Sequence, residues 1–316
     1  MANVLMRFIA VILILLFTSC KPYKEVSQLK AMEDLTYPYA TKKLTVLDDI
    51  EIAYIEQGKG NQTILFVHGL GSYLPAWKKN IDVLSSSYKC IAIDLPGYGK
   101  SSKGKYAYDM KFFADVLGAF IREMELRDVT LVGHSMGGQI SITTALYYED
   151  LVDRLILVAP AGFETFHEGQ KEWFRGILTS RDVMLTPAEN IQANIAYNFY
   201  DFKKDAEFMI SDRIAMRSAI DFEWYCYAVV QSVKGMVDQP VFDFLKEVEQ
   251  PTLVLFGEND NLIPNRYLNP GKTSKVAEKG VAQMPNASLR MIPNTGHFAM
   301  FESAELVNNE IMQFLR

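Results

Sequence analysis

Asp128-Val129-Thr130-Leu131-Val132-Gly133-His134-Ser135-Met136-Gly137 is the stretch on which the reading of this chain turns. Its first half is a short apolar, β-branched run, the pattern of a strand buried on both faces of a parallel sheet. Gly138-Gln139-Ile140-Ser141-Ile142-Thr143-Thr144-Ala145-Leu146 then takes on a helical rhythm. Between the two lies Gly-x-Ser-x-Gly, a sharp strand-to-helix turn whose flanking glycines avoid the clash that a Cβ would make. Such a turn holds Ser135 out at its tip, above the N-terminus of the following helix. Five residues alone would equally fit a glycine-rich turn with an incidental serine, so the remainder of the chain decides.

The same strand-then-helix rhythm recurs on both sides. Thr63-Ile64-Leu65-Phe66-Val67 runs into His68-Gly69-Leu70-Gly71-Ser72, with a helix from Pro75 or Ala76 to Leu84. Lys89-Cys90-Ile91-Ala92-Ile93 ends in Asp94-Leu95-Pro96-Gly97-Tyr98-Gly99-Lys100-Ser101, and a helix follows near Asp109–Glu125. Arg154-Leu155-Ile156-Leu157-Val158-Ala159 succeeds the helix after Ser135. This alternation predicts an α/β fold with a mostly parallel sheet flanked by helices. Ligands on such sheets bind beyond the carboxyl ends of the strands, where these glycine-rich loops converge. Before them, residues 43–47 and 50–55 read as a hairpin, its second strand an edge with one wet face.

From Pro160 to Val248 the alternation stops, and helical segments rich in aromatic residues and methionine take over. We read residues 161–248 as a helical cap, its aromatics mostly the cap's own core and a minority lining a pocket. The sheet resumes at Pro251-Thr252-Leu253-Val254-Leu255-Phe256-Gly257 and ends with Ala287–Ile292, followed by Pro293-Asn294-Thr295-Gly296-His297. A last helix spans about Ser303 to Leu315, with Leu306, Val307, Ile311 and Leu315 on one face. Residues 43–160 and 249–316 thus form the core.

A chain of 316 residues can bury a large core, and 49% hydrophobic with 22% charged residues is an ordinary globular balance. A net charge of −6 argues against a nucleic-acid partner. At the N-terminus, Arg7 precedes an uncharged run from Phe8 to Cys20, 13 residues long and short of the ~20 that a spanning helix needs. The run reads as a secretory signal. Thr18-Ser19-Cys20 resembles the lipobox of a bacterial lipoprotein, although Phe17 departs from the leucine usual there. The resemblance implies a signal over residues 1–20 and a lipid on Cys20. It also implies a protein held to a membrane of the bacterial cell envelope, outside the cytoplasm. Plain secretion and an uncleaved anchor in the inner membrane are the alternatives. Residues 21–42, with Pro22 and Pro38, read as a tether. Cys90 reads as a buried thiol, no disulfide with Cys226 is predicted, and no His/Cys cluster has metal-ligand spacing.

A serine hydroxyl needs a base to become a nucleophile, and the base needs an orienting carboxylate. Of the four histidines, His68 and His134 lie in tight turns, with His134 pointing away from Ser135, and His167 opens the cap. His297 follows the last strand at the active edge and is the candidate base. Asp260, in Glu258-Asn259-Asp260 after the strand ending at Gly257, lies far enough on to turn back, and is preferred to Glu258.

These residues together resemble the α/β-hydrolase family with a helical cap, over residues 43–316. The resemblance rests on five motifs in order: His68-Gly69, Asp94-x-Pro96-Gly97-x-Gly99-x-Ser101, Gly133–Gly137, Gly257-x-x-Asp260 and Gly296-His297. It implies the triad Ser135, Asp260, His297, an oxyanion hole from the backbone N–H groups of Leu70 and Met136, and no cofactor. Serine at the nucleophile excludes the branches that use aspartate there. Ser135-Met136-Gly137-Gly138-Gln139 and Ala159-Pro160-Ala161-Gly162 look most like the monoacylglycerol-lipase-like branch. The implied activity is hydrolysis of carboxylic esters, of a small molecule or a lipid, without an obligate protein partner. A carbon–carbon bond hydrolase and a catalytically silent ligand-binding relative are the alternatives. The N-terminal reading predicts that intact-mass measurement of membrane-extracted protein finds a chain beginning at a lipidated Cys20; a full-length unmodified chain contradicts it.

Overall fold

The computed structural model describes residues 26–316, so the signal reading and Cys20 lie outside the described residues. Eight strands form one sheet: β1 (Lys42–Val46), β2 (Ile50–Gln57), β3 (Thr63–Val67), β4 (Lys89–Ile93), β5 (Val129–His134), β6 (Arg154–Val158), β7 (Thr252–Gly257) and β8 (Ala287–Ile292). Their spatial order is β1-β2-β4-β3-β5-β6-β7-β8, antiparallel at β1–β2 and β2–β4 and parallel from β4 to β8. After β3 the chain moves to β4 on one side, and then crosses to β5 on the other. The chain thus leaves β3 and β5 toward opposite sides of the sheet, and ligands on such sheets bind beyond the strand ends at this switch point.

Period-2 alternation divides the apolar runs between two cores. Leu65, Val67, Ile91, Ile93, Leu131, Leu155 and Leu157 face helix α2 (Met110–Glu123) and its Phe113, Val116 and Phe120. Ile64, Phe66, Cys90, Ala92, Val132, Ile156 and Val158 face Trp77, Ile81 of α1 (Lys78–Leu84), and Ile311. Both faces are covered, which is why the strands read as continuous hydrophobic runs. Helix α3 (Met136–Tyr147) follows β5 directly. Between β6 and β7 stand α4 (Glu168–Ile177), α5 (Ser180–Leu185), α6 (Ala188–Ala196), α7 (Glu207–Met216) and α8 (Phe222–Asp238). Helix α9 (Thr273–Val281) precedes β8, and α10 (Ala299–Glu302) with α11 (Ala304–Phe314) closes the chain. Among the described residues no helix is long and apolar enough to cross a membrane.

Three expectations are corrected. β2 is not an edge: it is paired on both sides, β1 shelters it, and Ile52, Ala53 and Ile55 are fully buried. Leu306 does not share the buried face of α11, being 47% exposed. The helix instead turns Asn308 inward, where its Oδ1 accepts from Asn80 Nδ2 at 2.7 Å and its Nδ2 donates to the Lys79 carbonyl. That paired buried polar contact sets the helix rotation.

The third concerns the tether. Its described part is packed rather than free, with Met32 and Leu35 buried. Leu29 N donates to Ser218 Oγ, Met32 N donates to Asp221 Oδ1, and Ile220 N donates to the Lys30 carbonyl, all within the segment joining α7 to α8. Further along, Tyr37 Oη donates to Asp94 Oδ2 at 2.6 Å. Asp94 is fully buried and also accepts from Leu74 N and Lys100 N. This N-terminal strap therefore joins the helical insertion to the core. Tyr37→Phe removes a donor from a buried carboxylate and is expected to cost about 1–3 kcal/mol, read as a lowered urea midpoint. A wild-type midpoint would show that the strap carries no stability.

Candidate active site

The loops after β3, β5, β7 and β8 meet at one end of the sheet. Ser135, between β5 and α3, has φ 54° and ψ −119°, a conformation that costs an L-residue energy and persists only where its surroundings enforce it. The neighbours enforce it by leaving no room. A Cβ on Gly137 would sit 2.3 Å from the Val67 carbonyl oxygen, and one on Gly133 would sit 2.3 Å from that of Gly137. Ser135 N donates to the Val158 carbonyl, while its own carbonyl accepts from Gly138 N and Ala161 N. The side chain is left partly exposed at the mouth of a helix whose first N–H groups, Met136 included, have no intrahelical partner. Gly69 packs against this turn: a Cβ there would lie 3.1 Å from Ser135 Cβ, which brings Leu70 beside the serine.

His297 Nδ1 and Asp260 Oδ2 are 2.7 Å apart, and both residues are buried. The other Asp260 oxygen, Oδ1, accepts from Leu262 N and Ile263 N. With a carboxylate as acceptor, Nδ1 carries the proton, so Nε2 is left as the acceptor of the ring. Glu258 is exposed and is not brought to His297. Ser135, His297 and Leu70 all open on one cavity of about 600 Å³. Its apolar wall comes from Phe166, Phe174, Val233, Met236, Val237 and Phe242. Of Met184, Met209, Met216 and Met236, only the last reaches the cavity, and Tyr225, Phe222 and Phe199 are buried away from it.

Two histidines prove to be buried supports. His68 Nε2 accepts from Leu95 N at 3.0 Å, and Nδ1 donates to the Gly69 carbonyl at 2.8 Å, tying the loop after β3 to the loop after β4. Burial pulls it down to about 4, so it stays neutral. His134 directs its ring to His297 rather than to Ser135, with ring centroids 4.8 Å apart, and it also lines the cavity. Its Nε2 donates to the His297 carbonyl at 3.0 Å. Burial, then repulsion from His297, holds it well below its ordinary range. Gln139, also on the wall, donates through Nε2 to the carbonyls of Met236 and Gln239 and so holds the C-terminal end of α8. Glu164 accepts from Asn265 N and Asn269 Nδ2, and burial pushes its carboxyl up. No sequence spacing marks these last two, because their partners are backbone or lie about 100 residues away. Cys90 and Cys226, among the described residues, are buried free thiols pushed up to about 12 by burial.

A serine on a strained strand-to-helix turn, with a buried Asp–His pair at the same sheet edge, defines the architecture of a serine hydrolase site. Residues 62–304 match the model of the alpha/beta hydrolase fold family, and the chain belongs to that family. Among its relatives is a 2-hydroxy-6-oxononadienedioate/2-hydroxy-6-oxononatrienedioate hydrolase of Burkholderia vietnamiensis, 28% identical over 87% of this chain and 96% of the relative. Among solved structures, one described as a probable hydrolytic enzyme of Pseudomonas aeruginosa superposes with TM-score 0.81 at 25% identity, over 92% of this chain and all of that one. A thermophilic esterase of Thermogutta terrifontis gives TM-score 0.70 at 25% identity, over 88% and 98%.

The buried neutral histidines carry a pH signature. In the unfolded chain they titrate near about 6.5. Between there and the folded value of about 4 for His68, the unfolded state binds a proton that the folded state refuses. Stability therefore falls as pH is lowered through that window, by up to about 1.4 kcal/mol per pH unit for each such histidine. His68→Gln should make the slope shallower in urea titrations; an unchanged slope contradicts the assignment.

Proposed function

We propose that this hydrolase cleaves carboxylic esters with medium or long acyl chains, through an acyl-enzyme on Ser135. The observation that carries the reading is His297, paired with buried Asp260, opening together with Ser135 on a cavity walled mainly by apolar side chains. His297 Nε2 takes the Ser135 proton as Oγ attacks the carbonyl, and then delivers it to the leaving alcohol. Water activated by the same nitrogen releases the acid. Asp260 holds the ring in the tautomer that this requires and stabilises the imidazolium. The N–H groups of Leu70 and Met136 receive the developing oxyanion, each worth about 3–4 kcal/mol. No step calls on a cofactor. The monoacylglycerol-lipase-like resemblance and the signal sequence support a lipid ester met at a bacterial envelope membrane, with Cys20 as the anchor.

A second reading is cleavage of a carbon–carbon bond beside a ketone. It is supported by the dienedioate hydrolase among the relatives and by Lys171, which lines the cavity and could meet an acidic substrate group. A panel of esters of graded acyl length, with a monoacylglycerol and a vinylogous diketone acid, separates the readings. Ester turnover should rise with acyl length and exceed diketone cleavage, and Ser135→Ala should abolish it while far-UV circular dichroism stays unchanged. Faster cleavage of the diketone would favour the second reading, and retained turnover in Ser135→Ala would remove the proposed nucleophile.

A further inference from the structure

The loop carrying His297 is not held by the core alone. His297 N donates to the Asn198 carbonyl at 2.7 Å, and Phe298 N donates to the same oxygen at 3.2 Å. Asn198 lies just beyond α6, in the helical insertion, and with Asn194 and Tyr197 it lines the cavity. Asn198 Nδ2 donates back to the Asn194 carbonyl at 2.6 Å. Close approach of the two backbones needs Gly296, where a Cβ would lie 2.6 Å from Tyr200 N and 2.7 Å from the Asn198 oxygen. Phe199 and Phe298 stack at 5.2 Å with their planes 12° apart.

One side chain closes this contact. Glu302, at the end of α10, accepts three backbone N–H groups: Gly296 N at 2.7 Å and Tyr200 N at 3.1 Å on Oε2, and Asp201 N at 2.6 Å on Oε1. Neither segment is in a helix or strand at these positions, so their N–H groups have no ladder partner. A carboxylate, which only accepts, satisfies all three with charge-assisted bonds. A neutral amide would turn a donor toward one of them.

We propose that Glu302 is a positioning residue that locks residues 198–201 to the Gly296–His297 loop, so that the wall of the cavity and the general base move as one body. The inference rests on the reading of His297 as that base. His297 is then fixed at three points: its N–H by Asn198, its carbonyl by His134, and its Nδ1 by Asp260. Loosening the first lets the ring drift from its partner, and a misplacement of about 1 Å can cost about 100-fold in rate.

The test compares Glu302→Gln with the wild-type full chain on the best ester of the panel, and records the downfield proton resonance of His297 Nδ1–H. The expected result is a kcat lowered about 10- to 100-fold, a KM within about twofold, and a shifted or broadened resonance in a folded protein. A folded variant with wild-type kcat and an unchanged resonance overturns the inference and reduces Glu302 to a structural tie. Should the variant fail to fold, amide exchange on the wild type decides. The amides of Tyr200, Asp201 and Gly296 should share one protection level, and independent, unprotected exchange at Gly296 overturns the clamp. Absence of turnover in the wild type itself would count against the hydrolase reading, which separates that failure from this one.

Discussion

Ser135 stands in a conformation that an isolated chain would avoid, and the turn around it leaves no alternative. β5 delivers the chain between β3 and β6, and α3 must begin at once. Gly137 then passes so close to the Val67 carbonyl that a side chain there would overlap it. The tight crossing costs backbone strain, and burial of the strands on both faces of the sheet offsets it. Everything else at the site is arranged around this fixed point: the loop after β3 beside it, the Asp260–His297 pair across from it, the helical wall over it.

The arrangement depends on supports that have no chemistry of their own. His68 binds two loops together, His134 steadies the His297 carbonyl, and Gln139 grips the end of α8. Burial keeps both histidines neutral, so each has a lone pair or an N–H in a predictable place rather than a charge beside His297. The helical insertion is bound to the core at several points, through the N-terminal strap, through Gln139 and through Glu302. It is a structural part of the site. By contrast, α4 contains no buried residue, and the part of the wall formed by Phe166 just before it and Phe174 within it rests on a half-exposed helix.

Much of this was legible in the residues. Strands buried on both faces announce themselves as unbroken apolar runs, and glycine-rich ends mark the edge where loops converge. The position of Asp260 beyond Gly257 was enough to prefer it to Glu258, which lies exposed. What escaped was whatever depends on a partner far away in the chain. Met32 and Leu35 look like scattered apolar residues in a tether, yet both are buried in the main core, and the segment joining α7 to α8 binds the backbone beside them. Leu306 fits a helical stripe, yet the pair Asn80–Asn308 decides the rotation. His134 reads in the sequence only as a residue of a tight turn, because its contact with His297 spans more than 160 residues. Spacing encodes local geometry well; pairings between backbone groups of distant loops leave almost no trace in it.

The central claim is that Ser135 is an activated nucleophile rather than a serine on a tight turn. Reaction of the full-length protein with a fluorophosphonate, followed by peptide mass mapping, tests it without any assumption about the substrate. The account predicts one adduct per chain, on the peptide carrying Ser135. Absence of an adduct, or an adduct on another residue, would contradict it.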